Sequence, residues 1–262
     1  MGRAIEIISG TVTNPSTTLT AWTMNTGDSN MVRNFNLASA AHLEDAWGEN
    51  TTAGALEIKS PKLHDNVQGI LLNIPAATPQ PRLPDQMRQL LYPQDTLTIL
   101  QSGEASGVDA GALLIAYDDL PGANARLYTW AQIQPMIKQY LTVQNNLTSS
   151  GTAGTYSTAQ PINQVTDLLK ANTDYALLGY AVSVTGTSIG WRSPDFSNYR
   201  IGGPCSTQII ETRDYFLRKA VTSGDAWIPV FNSANKGSTF VDCTKVATST
   251  AVVVYTYLAQ VS

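Results

Sequence analysis

One phrase occurs twice in the chain, half a length apart, and this internal repeat constrains the fold more than any other feature. The first copy is EIKSPKLHDNVQG, residues 57–69, and the second is GWRSPDFSNYRIG, residues 190–202. At an offset of 133 the aligned pairs are Lys59 with Arg192, Ser60 with Ser193, Pro61 with Pro194, Leu63 with Phe196, Asp65 with Asn198 and Gly69 with Gly202. Proline fixes φ and glycine permits angles that other residues avoid, so the phrase predicts a turn between strands.

Two further phrases recur in the same order. Residues 84–97 align with 214–227 at an offset of 130, and residues 114–120 align with 252–258 at an offset of 138. The matched pairs are Arg88 with Arg218, Leu91 with Val221, Asp95 with Asp225 and Tyr117 with Tyr255. Small drifts in offset are what loop insertions cause, so the collinear order predicts a duplication. The alternative is two stretches of ordinary β sequence that share turn chemistry.

The local patterns favour strands. Runs rich in β-branched and aromatic residues, separated by Gly, Asn and Ser clusters, occur at 4–13, 18–24, 96–100, 112–117, 180–185, 227–231 and 250–258. Short helices are predicted at 36–47, 84–92, 130–141, 163–172 and 212–221. The low-complexity segment 145–158 has the composition of an exposed loop or of a linker. The pattern predicts an all-β chain of two β-rich units with short helices.

The composition is poor in charge. Of 262 residues, 14 % are charged, against about 25 % in an average globular chain, and 43 % are hydrophobic. A polar surface with few charges suits either sugar contact or dense packing against identical copies, because charge repulsion opposes self-association. It suits an ordinary β protein equally well. The net charge of −4 and the scattered basic residues predict no direct nucleic-acid binding, since genome-condensing coat proteins need a basic arm.

Taken together, the paired phrases and the closing strands at 114–120 and 252–258 resemble the double jelly-roll major capsid proteins of tailless icosahedral viruses, the adenovirus-like and membrane-containing phage lineage. The resemblance implies two tandem eight-stranded jelly-roll sandwiches, which we place at residues 1–135 and 136–262. It also implies homotrimers that form pseudo-hexagonal capsomers of an icosahedral bacteriophage shell. The implied partners are further copies, other virion proteins such as penton and minor capsid proteins, and an internal membrane beneath the shell. The implied location is the virion, assembled in the host cytoplasm.

No catalytic, cofactor or metal motif is present, so we expect no enzyme, and the predicted catalytic, cofactor-binding and metal residues are none. The sequence GEASG at Gly103 is not a GxSxG elbow, and there is no P-loop. A Ser-His-Asp triad could use only His42 or His64 as its base, and we interpret His64 as a solvated loop residue. The adjacent carboxylates Asp118 and Asp119 would point to opposite faces of a strand or lie in a solvated turn.

A second carboxylate pair, Glu44 and Asp45, falls in a predicted helix. Cys205 and Cys243 match no zinc spacing, and they are interpreted as two buried free thiols, with a disulfide as the alternative.

The competing class is a β-sandwich carbohydrate-binding or host-attachment protein. An exposed Trp191 or Tyr199 beside Asn and Asp could hold a sugar in the second copy of the Ser-Pro phrase. The first copy has Ile58 and Asn66 at those positions, which favours an architectural role for the phrase. No apolar run approaches the length of a membrane span, about 18 to 20 residues, and the first ten residues lack the apolar stretch of a secretory signal.

Overall fold

The computed structural model describes residues 2–25, 32–33, 41–62, 65–81, 83, 88–92, 95–103, 105–120 and 122–261. Its first eleven strands are β1 Gly2–Thr13, β2 Thr20–Ala21, β3 Thr23–Met24, β4 Val32–Arg33, β5 Ala41–Glu49, β6 Gly54–Ser60, β7 Asp65–Ile74, β8 Gln89–Leu91, β9 Asp95–Thr96, β10 Thr98–Ser102 and β11 Val108–Leu120. They form a five-stranded sheet, β3-β1-β11-β5-β8, and a four-stranded sheet, β2-β10-β6-β7, with β4 and β9 paired separately. We call these two larger sheets the first sandwich.

The remaining strands form a second sandwich. They are β12 Leu127–Tyr128, β13 Gln139–Thr148, β14 Gln160–Pro161, β15 Asp174–Val182, β16 Ser188–Arg192, β17 Ile201–Pro204, β18 Ile228–Asn232, β19 Phe240–Thr244 and β20 Ala251–Gln260. Its sheets are β12-β18-β15-β20-β13 and β14-β19-β16-β17. The α-helices are α1 Trp130–Ile133, α2 Ile209–Thr212 and α3 Tyr215–Ser223, with 3₁₀ turns at Gln134–Met136, Pro194–Phe196 and Ser233–Ser238.

The two sandwiches have the same strand order. In the first, the eight main strands in chain order are β1, β2, β5, β6, β7, β8, β10 and β11; in the second they are β13 to β20. In both, one sheet joins the first, eighth, third and sixth of these strands, and the other joins the second, seventh, fourth and fifth. Two packed antiparallel sheets of eight strands are the pattern of a jelly roll. The predicted fold class, all-β with jelly-roll-like sandwiches, is confirmed.

The Ser-Pro phrase occupies the same turn in both sandwiches. Ser60 ends β6 before β7, and Ser193 follows β16 before β17, which are the fourth and fifth main strands in each case. The Ser60 Oγ accepts a hydrogen bond from the N–H of Lys62, and the Ser193 Oγ accepts one from the N–H of Asp195, each at 3.2 Å. The two turns are therefore alike in position and in hydrogen bonding.

Of the other two aligned phrases, one falls on equivalent strands and the other does not. Residues 114–120 lie in β11 and residues 252–258 in β20, the eighth main strand of each sandwich. The alignment of Leu91 with Val221 is wrong, because Leu91 lies in β8 whereas Val221 lies in α3. In each sandwich the third main strand also has a bulge where it pairs with the eighth. Because of the bulge, Glu44 of β5 and Leu178 of β15 have no partner residue on the eighth strand.

Three of the predicted helices are wrong where the structure describes them. Residues 41–47 belong to β5, residues 89–91 form β8, and residues 163–172 form turns and extended backbone. The strand β5 runs between β11 and β8, with both of its edges paired, so tertiary pairing overrides the helical propensity of its Ala and Leu residues. The helices predicted at 130–141 and 212–221 are present in part, as α1 with its 3₁₀ turn and as α3.

The segment 145–158 is a loop of the second sandwich, not a linker between sandwiches. Its first residues belong to β13, and it leads into β14. The Gly154 N–H donates to the carbonyl of Lys245 at 2.7 Å, and the Ser157 N–H donates to that of Cys243 at 2.8 Å. The boundary at residues 135 and 136 remains a prediction; β12, which precedes it, pairs with β18 of the second sandwich.

Candidate functional site at the seam between the sandwiches

In the five-stranded sheet of the first sandwich, the central strands β1, β11 and β5 are buried on both faces. One face of this sheet packs in the core of its own sandwich, through alternate residues of β1 and β11 such as Ile8 and Ile115. The other face joins the hydrophobic core of the second sandwich; its residues are Ile5, Ile7, Trp47, Ala112, Leu114 and Ala116. We call this second contact the seam. It is the candidate functional site because it fixes the two sandwiches side by side.

Direct hydrogen bonds cross the seam inside its apolar part. The indole N–H of Trp47, which is fully buried, donates to the carbonyl of Thr187 at 2.7 Å. The Ile7 N–H donates to the carbonyl of Arg200 at 2.8 Å. These bonds satisfy polar groups that would otherwise lose solvation in an apolar contact.

A buried ion pair also crosses the seam. The Lys219 Nζ lies 3.3 Å from the Asp45 Oδ2, and the two residues are 3 % and 0 % exposed. The Lys219 ammonium lies 5.5 Å from the ring centres of both Tyr215 and Trp227, so the aromatic faces supply part of the solvation that burial removes. Burial raises the pKa of the Asp45 carboxyl, and the nearby Lys219 charge partly offsets that rise.

At one rim of the seam, the Arg88 guanidinium forms hydrogen bonds with four side chains. It bonds Glu44 at 2.7 Å, Asp118 at 2.9 Å and His42 at 3.3 Å, all in the first sandwich, and Asp225 of the second at 2.9 Å. The His42 Nδ1 also lies 3.0 Å from the Asp118 Oδ2, and Arg3 lies 3.4 Å from Asp225. We call this group the rim cluster, and it lies beside a cleft of about 310 Å³.

Burial shifts two pKa values in the rim cluster. Desolvation lowers the pKa of His42, and the charge of Arg88 lowers it further. Desolvation raises the pKa of Glu44, and the charge of Arg88 works against that rise. The neutral form of His42 is therefore favoured, and its ring completes a hydrogen-bonded group that fastens elements together.

A second polar contact lies at Glu49. Its Oε2 accepts hydrogen bonds from the Thr187 hydroxyl at 2.6 Å and from the Val246 N–H at 3.0 Å, so a first-sandwich carboxylate binds two second-sandwich loops. Burial raises the pKa of Glu49, and the bonds from Thr187 and Val246 oppose the rise. A cleft of about 340 Å³ lies beside it, lined by Glu49, Asn50, Thr51, Ala77, Thr185, Val246 and Ala247.

The structure moves several sequence-predicted residues into the seam. Glu44 and Asp45 lie on a strand rather than a helix, and Asp118 lies within β11 and is bonded to Arg88, so its interpretation as a solvated turn residue is wrong. Asp119 is exposed, as expected. His64 lies outside the described residues. Among the residues that the structure describes, no group of three or more His, Cys, Asp or Glu side chains could hold a metal.

The aromatic residues of the second Ser-Pro phrase are not arranged for sugar binding. Trp191 is fully buried, with Tyr180 and Phe216 at ring-centre distances of 5.0 and 5.9 Å. Tyr199 is half-buried and packs at 6.3 Å from Tyr117 of the first sandwich. Both residues therefore contribute to cores instead of to an open binding surface.

The cysteines are buried free thiols, as predicted, and the disulfide alternative is wrong. Burial raises the pKa of Cys243 to about 11 and that of Cys205 well above its usual range. Within the described residues, no helix has both the length and the apolar character needed to cross a membrane.

Sequence reasoning missed the seam, although a signal for it was present. The runs AIEII in β1 and ALLIAY in β11 are apolar at nearly every position, not at alternate positions. A strand with one solvent face alternates, whereas a continuous apolar run is typical of a strand buried on both faces. These runs predict a covered sheet, but nothing in them identifies what covers it.

No protein-family model matches the chain, and no curated protein is significantly similar to it. Three solved structures resemble it weakly. The PBSX exported protein XepA is 10 % identical over 98 % of this chain and 86 % of that chain, with a TM-score of 0.28. The major capsid protein P2 of bacteriophage PM2 is 8 % identical over 99 % and 98 %, with a TM-score of 0.22.

The third structure comes from a study of the triple jelly roll fold and turret assembly in an archaeal virus. It is 10 % identical over 99 % of this chain and 79 % of that chain, with a TM-score of 0.21. The similar structures thus include phage and viral proteins. At these TM-scores the likenesses carry no argument, and the inferences below depend on strand order and contacts.

Proposed function

We propose that the chain is a structural major capsid protein, which trimerises into pseudo-hexagonal capsomers and tiles the icosahedral shell of a bacteriophage virion. The observation that carries this proposal is the identical strand order of two sandwiches fixed side by side by a buried seam. Three such chains around an axis would present six similar units, so a trimer would fill a six-fold position. Closed symmetric assemblies of this kind use one interface repeatedly.

The seam supports this role because a shell subunit must transmit load between its halves without hinging. The seam buries apolar residues of β1, β5 and β11 and also holds ion pairs and a tryptophan hydrogen bond, and close packing of this kind resists relative motion of the two sandwiches. The described side chains of His42, Cys205 and Cys243 make internal contacts, and we propose no enzymatic role.

The surface chemistry is compatible with a shell that does not contact its genome. The chain has a net charge of −4 and no run of basic residues, so genome phosphates would be repelled instead of neutralised. The proposed partners are further copies, penton and minor capsid proteins, and an internal membrane. The proposed location is the virion, after assembly in the host cytoplasm.

Light scattering after size-exclusion chromatography, followed by negative-stain microscopy, tests the proposal. We expect a stable trimer and, at higher concentration, flat hexagonal capsomers or shells. A protein that stays monomeric at all concentrations contradicts the proposal. A monomer that binds immobilised glycans would instead support the carbohydrate-binding alternative, against which the burial of Trp191 already weighs.

A further inference from the structure

Two segments of the second sandwich contain no charged residue. No Asp, Glu, Lys, Arg or His occurs in segments 139–166 and 246–262, although 14 % of the whole chain is charged. These segments contain β13 and β20, which pair with each other along ten residues at the end of the five-stranded sheet. The charge-poor composition of the chain is thus concentrated in these two segments, while Lys138 directly precedes β13 and the Lys170 Nζ bonds the Gln260 side chain of β20 at 3.3 Å.

The strand β13 is an open sheet edge. Among the strands that the structure describes it pairs only with β20, and its outer side faces away from the sheet. The Asn146 N–H donates to the Gln164 side chain at 2.8 Å, and the Asn146 carbonyl accepts from that side chain at 3.1 Å. Backbone direction alternates along a strand, so Tyr140, Thr142 and Gln144 direct their N–H and C=O groups to the same outer side.

The side chains along this edge are exposed and uncharged. Tyr140 is 64 % exposed and Tyr255, on the neighbouring strand, is 40 % exposed. Thr142 is exposed and Gln144 is half-buried, while Val143 packs inward. Exposed, long edge strands template pairing with another strand, and natural proteins usually block them with charges or proline. Residues 139–148 contain no charge and no proline, the Gln164 side chain covers the backbone of Asn146, and the exposed Lys138 lies directly before the strand.

We propose that β13 is the contact through which two copies of this chain join, by antiparallel pairing of β13 with β13 across a two-fold axis at Thr142. In that register Thr142 faces Thr142 of the second copy, and Tyr140 faces its Gln144. The outward groups of the three residues on each strand would form about six hydrogen bonds.

A second copy fits this edge better than an unrelated partner because of the charge balance. Two chains of net charge −4 repel each other, but residues 139–144 carry no charge, and Lys138 before them would face Asn146 of the second copy, so no like charges lie opposite each other. Interface centres are depleted of charged residues and enriched in tyrosine, which this face supplies at Tyr140 and Tyr255. The edge is also self-complementary in its hydrogen bonds, as an interface on a two-fold axis requires.

This inference depends on the proposed self-assembly and specifies one of its contacts. A two-fold contact cannot build a trimer, so we assign it to the contact between neighbouring capsomers. The contacts within the trimer use other surfaces. Trimer formation and β13 pairing can therefore fail independently, which makes the two proposals separable.

Cysteine cross-linking of Thr142→Cys tests the pairing. Residues directly opposite in a hydrogen-bonded antiparallel pair have Cα atoms about 5.5 Å apart, within the range of a disulfide. The native Cys205 and Cys243 are both 0 % exposed, so they do not compete. The matched control is Thr98→Cys, an exposed strand residue of the first sandwich.

Under mild oxidation we expect the disulfide-linked dimer of Thr142→Cys to exceed that of Thr98→Cys by about tenfold, because pairing raises the local thiol concentration. Thr142→Lys should abolish assembly of capsomers into larger particles while leaving the trimer intact. Equal cross-linking of the two cysteine variants, or unchanged particles with Thr142→Lys, overturns the pairing. Cross-linking without any trimer overturns the capsid proposal and leaves the pairing in place.

Both substitutions are at an exposed position, so the variants should fold. Circular dichroism and thermal unfolding of each variant check this directly. A double variant, Tyr140→Cys with Gln144→Cys, tests the register, because these residues face each other only when Thr142 lies on the axis. If this double variant fails to cross-link while Thr142→Cys succeeds, the proposed register is wrong.

Discussion

Lys219 and Asp45 form an ion pair with almost no access to water, at the point where α3 meets β5. In Lys219→Met the Asp45 carboxylate loses its counter-charge but stays buried. We expect a loss of about 3–5 kcal/mol in the free energy of unfolding, as measured for other broken buried pairs. Urea denaturation followed by tryptophan fluorescence gives the value.

The matched control is the double variant Lys219→Met with Asp45→Asn. An amide at position 45 keeps an acceptor for the N–H groups of Ala46 and Leu83, and it carries no charge to be left unpaired. We expect this double variant to be more stable than Lys219→Met alone. The opposite order would show that the charge of Asp45 is not what makes the single variant unstable.

His42 makes the stability depend on pH. Its pKa in the folded protein lies below the unfolded value of 6.5, first because of burial and then because of Arg88. The unfolded state therefore binds the proton more readily, and this contribution to stability is present above about pH 6.5 and decreases as the pH falls below it. The other charged groups that face the ring are Asp118, Arg3 and Asp225.

Urea denaturation of the native chain and of His42→Gln, at several values between about pH 7.5 and pH 5, measures this effect. We expect the free energy of unfolding to fall more steeply for the native chain than for the variant. The raised pKa values of Glu44 and Glu49 increase the stability as the pH falls, opposite to the effect of His42. Both chains contain these carboxyls, so the difference between the two curves reports on His42. Parallel curves would contradict the assignment.

At the scale of elements, the strand after each Ser-Pro turn begins close to the strand before it. A Cβ at Gly69 would lie 2.3 Å from the carbonyl oxygen of Ile58, and one at Gly202 would lie 1.9 Å from that of Ile189. Gly69 also has a positive φ of 56°. We expect Gly69→Ala and Gly202→Ala each to cost about 1–3 kcal/mol, as steric overpacking does.

Thermal and urea unfolding of both variants check this equivalence, with Gly151→Ala as the control. Gly151 has no atom within 4 Å of its added Cβ, so that variant should be within about 0.5 kcal/mol of the native chain. A large loss for one of the two variants and none for the other would contradict the structural equivalence of the turns.

At the scale of the whole molecule, the seam predicts that the first sandwich is not stable alone. Residues 1–124, which end before β12 and hold the first sandwich alone, would expose when expressed separately the sheet face that carries Ile5, Ile7 and Trp47. We expect this fragment to aggregate or to bind a hydrophobic dye, because exposed apolar faces of this kind associate. The intact chain should unfold in one calorimetric transition.

Co-expression with residues 125–262, which contain the whole second sandwich, is the control. We expect the second fragment to rescue the solubility of the first, because the seam can form between separate chains. A soluble, dye-negative fragment 1–124, or two separate transitions in the intact chain, would mean that the sandwiches are independent units.

The sequence by itself determined the local geometry of the chain. Strand character follows from runs of β-branched residues. The two equivalent turns follow from a Ser-Pro phrase whose proline fixes φ and whose glycine permits backbone angles that other residues avoid. The fold class could therefore be predicted. Offsets between repeated phrases were less informative, since the match of Leu91 with Val221 joined a strand to a helix.

Only the tertiary structure decided which residues meet. The helical propensity of residues 41–47 was overridden because β5 gains ladder hydrogen bonds on both edges and burial on both faces. The seam pairs Asp45 with Lys219 and Arg88 with Asp225, residues distant in sequence. Such partners depend on how the two sandwiches pack in space, and local backbone preferences do not determine that packing.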